Sequence, residues 1–335
     1  MDRVDNGQVQ YLGDSLPDAR SARTPGARHA SDTLPRAATA LPPAGALVTP
    51  TAPPSPARTI FEILEQGKTW DRGVAAVDAA LGHTYAAATN DRTEAYYGPE
   101  SIAPPMLHVR LMRDLLFDVM EDPALGLDML KLLHGEHDVT IHRPLRPGDL
   151  VHMRGRLSHV EQKSKGLVVE ALLIGFVEGT AAIEARTLFF IRDQMVGEPG
   201  RGKRAPGPDQ SAPDRPADRV LEWTVDADQS HRYGEASLDR NPIHIDPAVA
   251  QQAGLPDVIL QGLCTMAMTG AGLIQHQLHG QAARLRRLSV RWTRPVFNGS
   301  KLATHVWQVS DTELRFTVLN ADGQPVISHG VAELR

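Results

Sequence analysis

Tyr85-Ala86-Ala87-Ala88-Thr89-Asn90-Asp91 and Tyr233-Gly234-Glu235-Ala236-Ser237-Leu238-Asp239 follow one pattern, Tyr-x-x-Ala-Thr/Ser-x-Asp, at an offset of 148 residues. A second pair, Arg143-Pro144-Leu145-Arg146-Pro147-Gly148-Asp149 and Arg294-Pro295-Val296-Phe297-Asn298-Gly299-Ser300, repeats at an offset of 151. Two matches at nearly one spacing indicate a duplicated unit. The elements around them agree. Residues 106–120 place Leu107, Leu111, Leu115 and Val119 on one helix face, with Met112 and Leu116 beside them. Residues 262–274 are small or apolar on nearly every side, the pattern of a helix buried all round. After each helix comes the Arg-Pro turn and then strand-like runs. These are 150–160, 167–177 and 181–191 in the first half, and 302–309, 314–320 and 325–334 in the second, where Asp322-Gly323 is a hairpin signal.

A buried helix followed by antiparallel strands describes a sheet wrapped around a helix, which is the hot-dog arrangement. The chain is therefore read as α+β, a double hot-dog with copies at residues 58–196 and 220–335. Residues 197–219, rich in Pro, Gly and charge, read as a flexible or partly extended linker. Residues 1–57 are rich in Ala, Pro, Ser and Arg, with too little apolar surface to offset ordering, and read as a disordered tail.

Composition excludes several classes of function. The 335 residues carry a formal net charge of −5 and a pI near 6.3, against the basic excess of a nucleic-acid-binding domain. The single cysteine, Cys264, lies in the apolar run 263–267 and reads as inert core. No run approaches the ~20 apolar residues of a membrane span. Acidic Asp2 and Asp5, without an apolar run beside them, argue against a secretory signal. Glu333-Leu334-Arg335 is not the peroxisomal Ser-Lys-Leu address, so a cytoplasmic location is expected. No His/Cys/Asp cluster has ligand spacing, so no metal is expected; His276 and His279, at a helix end, read as solvated.

The chemistry concentrates in Asp239-Arg240-Asn241-Pro242-Ile243-His244. Asn241-Pro242 is a turn signal that brings Asp239 and His244 back toward each other. A carboxylate beside an imidazole is a workable acid/base pair, because the ring titrates near neutral pH. Asp246 and Pro247 read as the N-cap and first residue of a short helix over 248–253, stopped by Gly254. Farther on, Gln261-Gly262 precedes the buried helix, whose first amides lack intrahelical acceptors and suit a developing oxyanion. A proton-handling pair beside such a donor fits water addition to a thioester-conjugated double bond, which pushes charge onto the thioester oxygen.

Tyr233-x-x-Ala-Ser-x-Asp-Arg-Asn-Pro-Ile-His-Ile-Asp-Pro, then Val258-Ile259-Leu260-Gln261-Gly262-Leu263-Cys264-Thr265 and Arg291-Trp292-Thr293-Arg294-Pro295-Val296, resembles the MaoC-like (R)-specific enoyl-CoA hydratases, also called the hydratase 2 family. Leu133-His134-Gly135-Glu136 extends the resemblance to the first half. The resemblance implies Asp239 and His244 as the catalytic pair holding the water. It implies substrate contacts from Arg240, Asn241, Pro242, Ile243 and Gly262, with His134 and Gly135 lining the acyl-CoA site. Lys163 and Trp292 would meet CoA, with Lys165 the alternative to Lys163. Two departures stand out: Gln261 occupies a position usually held by His, and the first half, Asp91-Arg92-Thr93-Glu94, lacks Asn-Pro-x-His. One active site per chain follows, with the first half making room for the acyl group. The resemblance also implies, in the eukaryotic enzymes of the family, a glutamate in the first half, and Gly98-Pro99-Glu100 is not a matching counterpart to it.

The expected reaction is reversible hydration of trans-2-enoyl thioesters to (R)-3-hydroxyacyl thioesters. It needs no cofactor beyond the CoA of the substrate, whose phosphates Lys163, Arg284, Arg286 and Arg287 could meet. The alternatives are a dehydratase acting on carrier-protein-bound intermediates and a non-catalytic acyl-thioester-binding protein; a thioesterase fits the motif less well. The expected partner is an acyl-CoA or acyl-carrier-protein thioester, and the architecture leaves room for a homodimer.

Overall fold

The strand-like runs pair into one antiparallel sheet, and the sheet is shared by both halves. The computed structural model describes residues 59–205, 207 and 209–335; the stretch read as a tail lies outside the described residues. The first half runs α1 (Ile60–Glu65), β1 (Thr69–Ala76), α2 (Ala79–Ala88), α3 (His108–Met120), β2 (Leu132–Ile141), β3 (Leu150–Lys163), β4 (Gly166–Val177) and β5 (Thr180–Arg192). The second runs β6 (Arg219–Thr224), α4 (Gln229–Ser237), α5 (Pro247–Gln252), α6 (Gly262–Gln277), β7 (Leu285–Trp292), β8 (Lys301–Ser310), β9 (Glu313–Asn320) and β10 (Pro325–Leu334). The strand order is β1-β3-β4-β5-β2-β7-β10-β9-β8-β6. Each half contributes the same five-strand order, and the two meet where β2 pairs antiparallel with β7.

Backbone hydrogen bonds repeat with the same offsets as the sequence. Val77 bonds with Gly148 and Asp149 as Val225 bonds with Gly299 and Ser300. The Ile102 amide reaches the Ala95 carbonyl as Ile259 reaches Ile243, and Ala103 reaches Leu145 as Leu260 reaches Val296. Those bonds set the residue-for-residue equivalence of the halves, so Pro104-Pro105 corresponds to Gln261-Gly262. The repeated tyrosines meet at the centre: the buried Tyr85 and Tyr233 hydroxyls lie 3.1 Å apart.

The predicted helices and strands form with small changes at their ends. β10 covers the expected residues, β3 runs on to Lys163, and α3 begins at His108 after a 3-10 turn at Pro105–Leu107. α6 is the central helix, with ten of its residues buried, Cys264 and Met266 completely. It lies close beneath β7, since a Cβ on Gly270 would come within 3.0 Å of Leu288. Cys264 is the inert core thiol expected, its pKa pushed up by burial. The described residues of the segment joining β5 to β6 are tied to the sheet. The buried Gln162 accepts from the Val196 amide and donates to Gln194 O, Arg204 pairs with Glu170 at 3.2 Å, and Trp307 donates to Arg215 O. No helix among the described residues is long and apolar enough to cross a membrane.

Candidate active site

α4 ends two residues before Asp239. Leu238 takes the left-handed conformation at its C-cap, φ 62°, and turns the chain off the helix axis. Ser237 fixes the exit: its hydroxyl donates to Tyr233 O at 2.7 Å and accepts from the Asp239 amide at 3.1 Å. Asn241 then caps a 3-10 turn, Pro242–His244, accepting from the Ile243 amide, with Pro242 at the first position where no amide is needed. This turn carries His244 inward, 8% exposed, while the Asp239 side chain stays 40% exposed.

His244 is held in one tautomer. Its Nδ1 lies 2.8 Å from the Ile259 carbonyl, which can only accept, so Nδ1 carries the proton and Nε2 presents its lone pair. That lone pair is 4.0 Å from Asp239 Oδ2, too far for a direct hydrogen bond. Two acceptors side by side, one buried and one half-exposed, can take both hydrogens of a single water.

Gly262 opens α6 and adjoins this pair through its neighbour: the buried Gln261 side chain donates to Asp239 O at 3.1 Å and to Ser230 O at 3.0 Å. The Cys264 and Thr265 amides bond back to the Gln261 carbonyl at 3.0 and 3.2 Å, while those of Gly262 and Leu263, at the very start of α6, have no intrahelical acceptor and are not capped by the Gln261 side chain. The Trp292 indole lies against Gly262, donating to its carbonyl at 3.0 Å. A Cβ at position 262 would sit 2.9 Å from that ring, so glycine is required by packing as well as suited to approach by a substrate.

Behind Trp292 is a set of histidines from the first half, His108 and His137 buried and His134 partly so. His134 packs on Trp292 with ring centroids 4.5 Å apart and also touches Phe189. Its Nε2 is buried without a hydrogen-bond partner, and burial lowers its pKa to about 3. Next to it, His108 Nδ1 faces Pro105 O at 3.1 Å, so it must donate there and accept at Nε2. His137 Nε2 therefore donates to His108 Nε2 at 2.9 Å, leaving His137 Nδ1 to accept from the Thr187 hydroxyl at 2.9 Å. The pair is neutral throughout, and burial pushes His108 down to about 4 and His137 well below its usual value. Gly135 lies at a register shift between His134 and Glu136, where a Cβ would press on Leu188.

Asp239, His244, the turn from Arg240 to Ile243, Gly262, Trp292 and His134 thus form one connected region. Lys163 lies apart on the β3–β4 hairpin, three strands from β7, where its ammonium pairs with Glu161 at 2.6 Å. Arg284, Arg286 and Arg287 lie toward the opposite end of β7 from Trp292, and Arg287 is taken up by Asp138 and Glu333. Arg240 pairs with Glu235 on the preceding helix. Asp246 caps α5 through the Ala248 amide at 2.8 Å, as its position predicts. Sequence reasoning missed the Gln261 clamp and the His108–His137–Thr187 chain; both join residues far apart in the chain, and only the repeat offset hinted at the neighbourhood.

A model of the MaoC-like domain matches residues 208–328, and one of the FAS1-like dehydratase domain region matches residues 75–182. A Dictyostelium discoideum protein described as "Probable enoyl-CoA hydratase 2" is 30% identical over 245 residues, covering 71% of this chain and 82% of the relative. The 3-hydroxyacyl-thioester dehydratase Y of Mycobacterium tuberculosis is 32% identical over 212 residues, covering 60% and 72%. The mouse peroxisomal multifunctional enzyme type 2 is 28% identical over 218 residues, 64% of this chain but 29% of that much longer protein. Among solved structures, a MaoC-like dehydratase from Phytophthora capsici superposes with a TM-score of 0.72 at 23% identity, covering 82% of this chain and 98% of that one.

Proposed function

The chain belongs to the MaoC-like hydratase 2 family, and from that premise we propose that it reversibly hydrates trans-2-enoyl-CoA to (R)-3-hydroxyacyl-CoA at Asp239 and His244. The observation that carries this reading is the anchored tautomer of His244, which turns its Nε2 lone pair toward the Asp239 carboxylate across 4.0 Å.

A water held by both hydrogens keeps an oxygen lone pair for the β carbon. As the C–O bond forms, the π electrons move through the α carbon onto the thioester oxygen, where the Gly262 amide stabilises the enolate. The proton leaving water passes to the Asp239–His244 pair and a proton is returned to the α carbon, so atoms and charge balance with water alone. The reaction calls for no metal or separate cofactor; CoA enters only as part of the substrate. Arg240, Asn241, Pro242 and Ile243 would border the thioester, with His134, Gly135 and Trp292 beside the acyl-CoA arm and Lys163 farther along it. The first half would accommodate the acyl chain.

Asp239→Asn is expected to lower kcat for crotonyl-CoA by about 10²- to 10⁴-fold with the circular dichroism unchanged, followed as loss of enoyl absorbance. Wild-type-like turnover by that variant would refute the assignment. Rates on CoA and carrier-protein thioesters decide the tether, chiral analysis of the product the configuration, and sedimentation whether the chain forms the proposed homodimer. The proposed cytoplasmic location is tested by cell fractionation, since several relatives are named peroxisomal.

A further inference from the structure

The Gln261 side chain is among the most completely buried polar groups next to the site, 1% exposed, yet it caps nothing on its own helix. Its amide nitrogen uses both hydrogens on backbone carbonyls of other segments: Ser230 O near the start of α4 at 3.0 Å, and Asp239 O just past that helix's end at 3.1 Å. Its Oε1 is buried with no partner. A buried acceptor left unpaired costs stability, so the side chain sits here in spite of its own oxygen, for what its nitrogen does.

Three features make the clamp specific. Gly234 faces it, and a Cβ there would lie 3.2 Å from Asp239 O and 3.4 Å from Gln261 Nε2, so a side chain at that position would crowd the bond. Gln261 immediately precedes Gly262, so whatever fixes its side chain also fixes the first amides of α6 relative to Asp239. The equivalent residue of the first half is Pro104, which has no donor, and the equivalent carboxylate, Asp91, bonds instead to Thr93 and Tyr96.

We propose that Gln261 is a positioning residue for the hydration reaction, tying the Asp239 backbone to the N-terminus of α6 and so setting the carboxylate, His244 and the Gly262 amide at their working distances. Gln261 touches no reacting atom. It acts through Asp239, and the inference rests on the hydratase reading of the same site.

The test is Gln261→Met, close in length and without donors, with Gln261→Glu as an isosteric companion. Steady-state kinetics on crotonyl-CoA in the full chain should show kcat lowered at least 20-fold by Gln261→Met, with KM changed less than threefold, in a protein that keeps its circular dichroism. If the effect passes through Asp239, Gln261→Met placed on Asp239→Asn should lower the residual rate less than twofold further. An unchanged kcat in folded Gln261→Met, a loss confined to KM, or full multiplicative loss in the double variant would each overturn the proposal. Should Gln261→Met fail to fold, Gln261→Glu is read by the same criteria. A wild-type chain without hydratase activity would instead overturn the functional reading on which the inference stands.

Discussion

The two halves build the same turn from different residues, and only one leaves its polar groups open. Asp91 and Asp239 each follow a left-handed residue, Asn90 at φ 56° and Leu238 at φ 62°, and each precedes a 3-10 turn, Glu94–Tyr96 or Pro242–His244. Tyr96 thus occupies the place of His244, at the same 148-residue offset as the paired tyrosines. The first-half turn therefore persists with a phenol in place of the imidazole, although the expected Asn-Pro-x-His segment is absent. Asp91 is 6% exposed and its carboxylate accepts from the Thr93 amide at 3.0 Å, the Thr93 hydroxyl at 2.6 Å and the Tyr96 hydroxyl at 2.9 Å. Burial raises the Asp91 pKa and pushes that of Tyr96 well up. Pro105 stands where Gly262 offers an amide, and proline has none. Carboxylate occupied, base replaced, donor removed: the first half keeps the scaffold and lacks each part of the proposed chemistry. What distinguishes the proposed active site from its structural copy is unfilled hydrogen-bonding capacity, because the fold is common to both.

The same change made at both aspartates gives the largest contrast. Where Asp239→Asn is expected to lower kcat by about 10²- to 10⁴-fold, Asp91→Asn should leave kcat and KM within twofold and appear in unfolding experiments. The Asn side chain has one accepting oxygen where the carboxylate has two, so at least one of the three buried donors loses its acceptor, at a cost of about 1–3 kcal/mol. A large fall in turnover for folded Asp91→Asn would mean that the first half takes part in catalysis after all.

Acid should separate the halves next. His108 and His134 both belong to the first half and are buried neutral, with pKa values lowered to about 4 and about 3. Above the unfolded value near 6.5 both states are neutral and the contribution is constant. As pH falls below that, the unfolded chain binds protons that the native sites refuse, so stability declines until the folded values are reached. Each site should cost about 1 kcal/mol per pH unit between pH 6 and 4. Urea midpoints measured across that range in wild type and in His108→Gln test this; an identical pH slope in the two would show that His108 is not buried neutral.

Much of this organisation was legible because apolar periodicity survives in strands that bury one face. The runs that became β3, β4, β5, β8, β9 and β10 read correctly as strand-like stretches, although β4 is buried along most of both faces. β1 and β6 did not: they are the sheet's two edges, β1 is interrupted by a register shift between Asp71 and Gly73, and β6 has only six residues. β2 and β7 were hidden for the opposite reason. They lie at the centre of the sheet, but their charged residues pair across the seam, Asp138 with Arg287 and Glu136 with Arg291 at 2.7 Å. The Asn-Pro turn announced Asp239 and His244 because a local motif sets that geometry. Nothing local announces Gln261, whose partners lie 22 and 31 residues away, or Tyr96, whose relation to His244 shows only through the repeat.

The smallest contrast lies in the residues before the two aspartates. Asn tolerates the left-handed region because its short polar side chain bonds locally, whereas a branched residue such as Leu is strained there. The first half has Asn90 and the second Leu238 at the same backbone conformation. Leu238→Asn should therefore relieve strain and raise stability by roughly 1 kcal/mol, measured by equilibrium urea unfolding. The gain is the net of two effects, since Leu238 is partly buried and its replacement loses some apolar contact. If Leu238→Asn is less stable than wild type, packing outweighs strain, and the leucine is held by its neighbours. If it is more stable but slower, the strained exit from α4 helps aim the Asp239 carboxylate, and the active half carries at this position a cost that its inactive copy has shed.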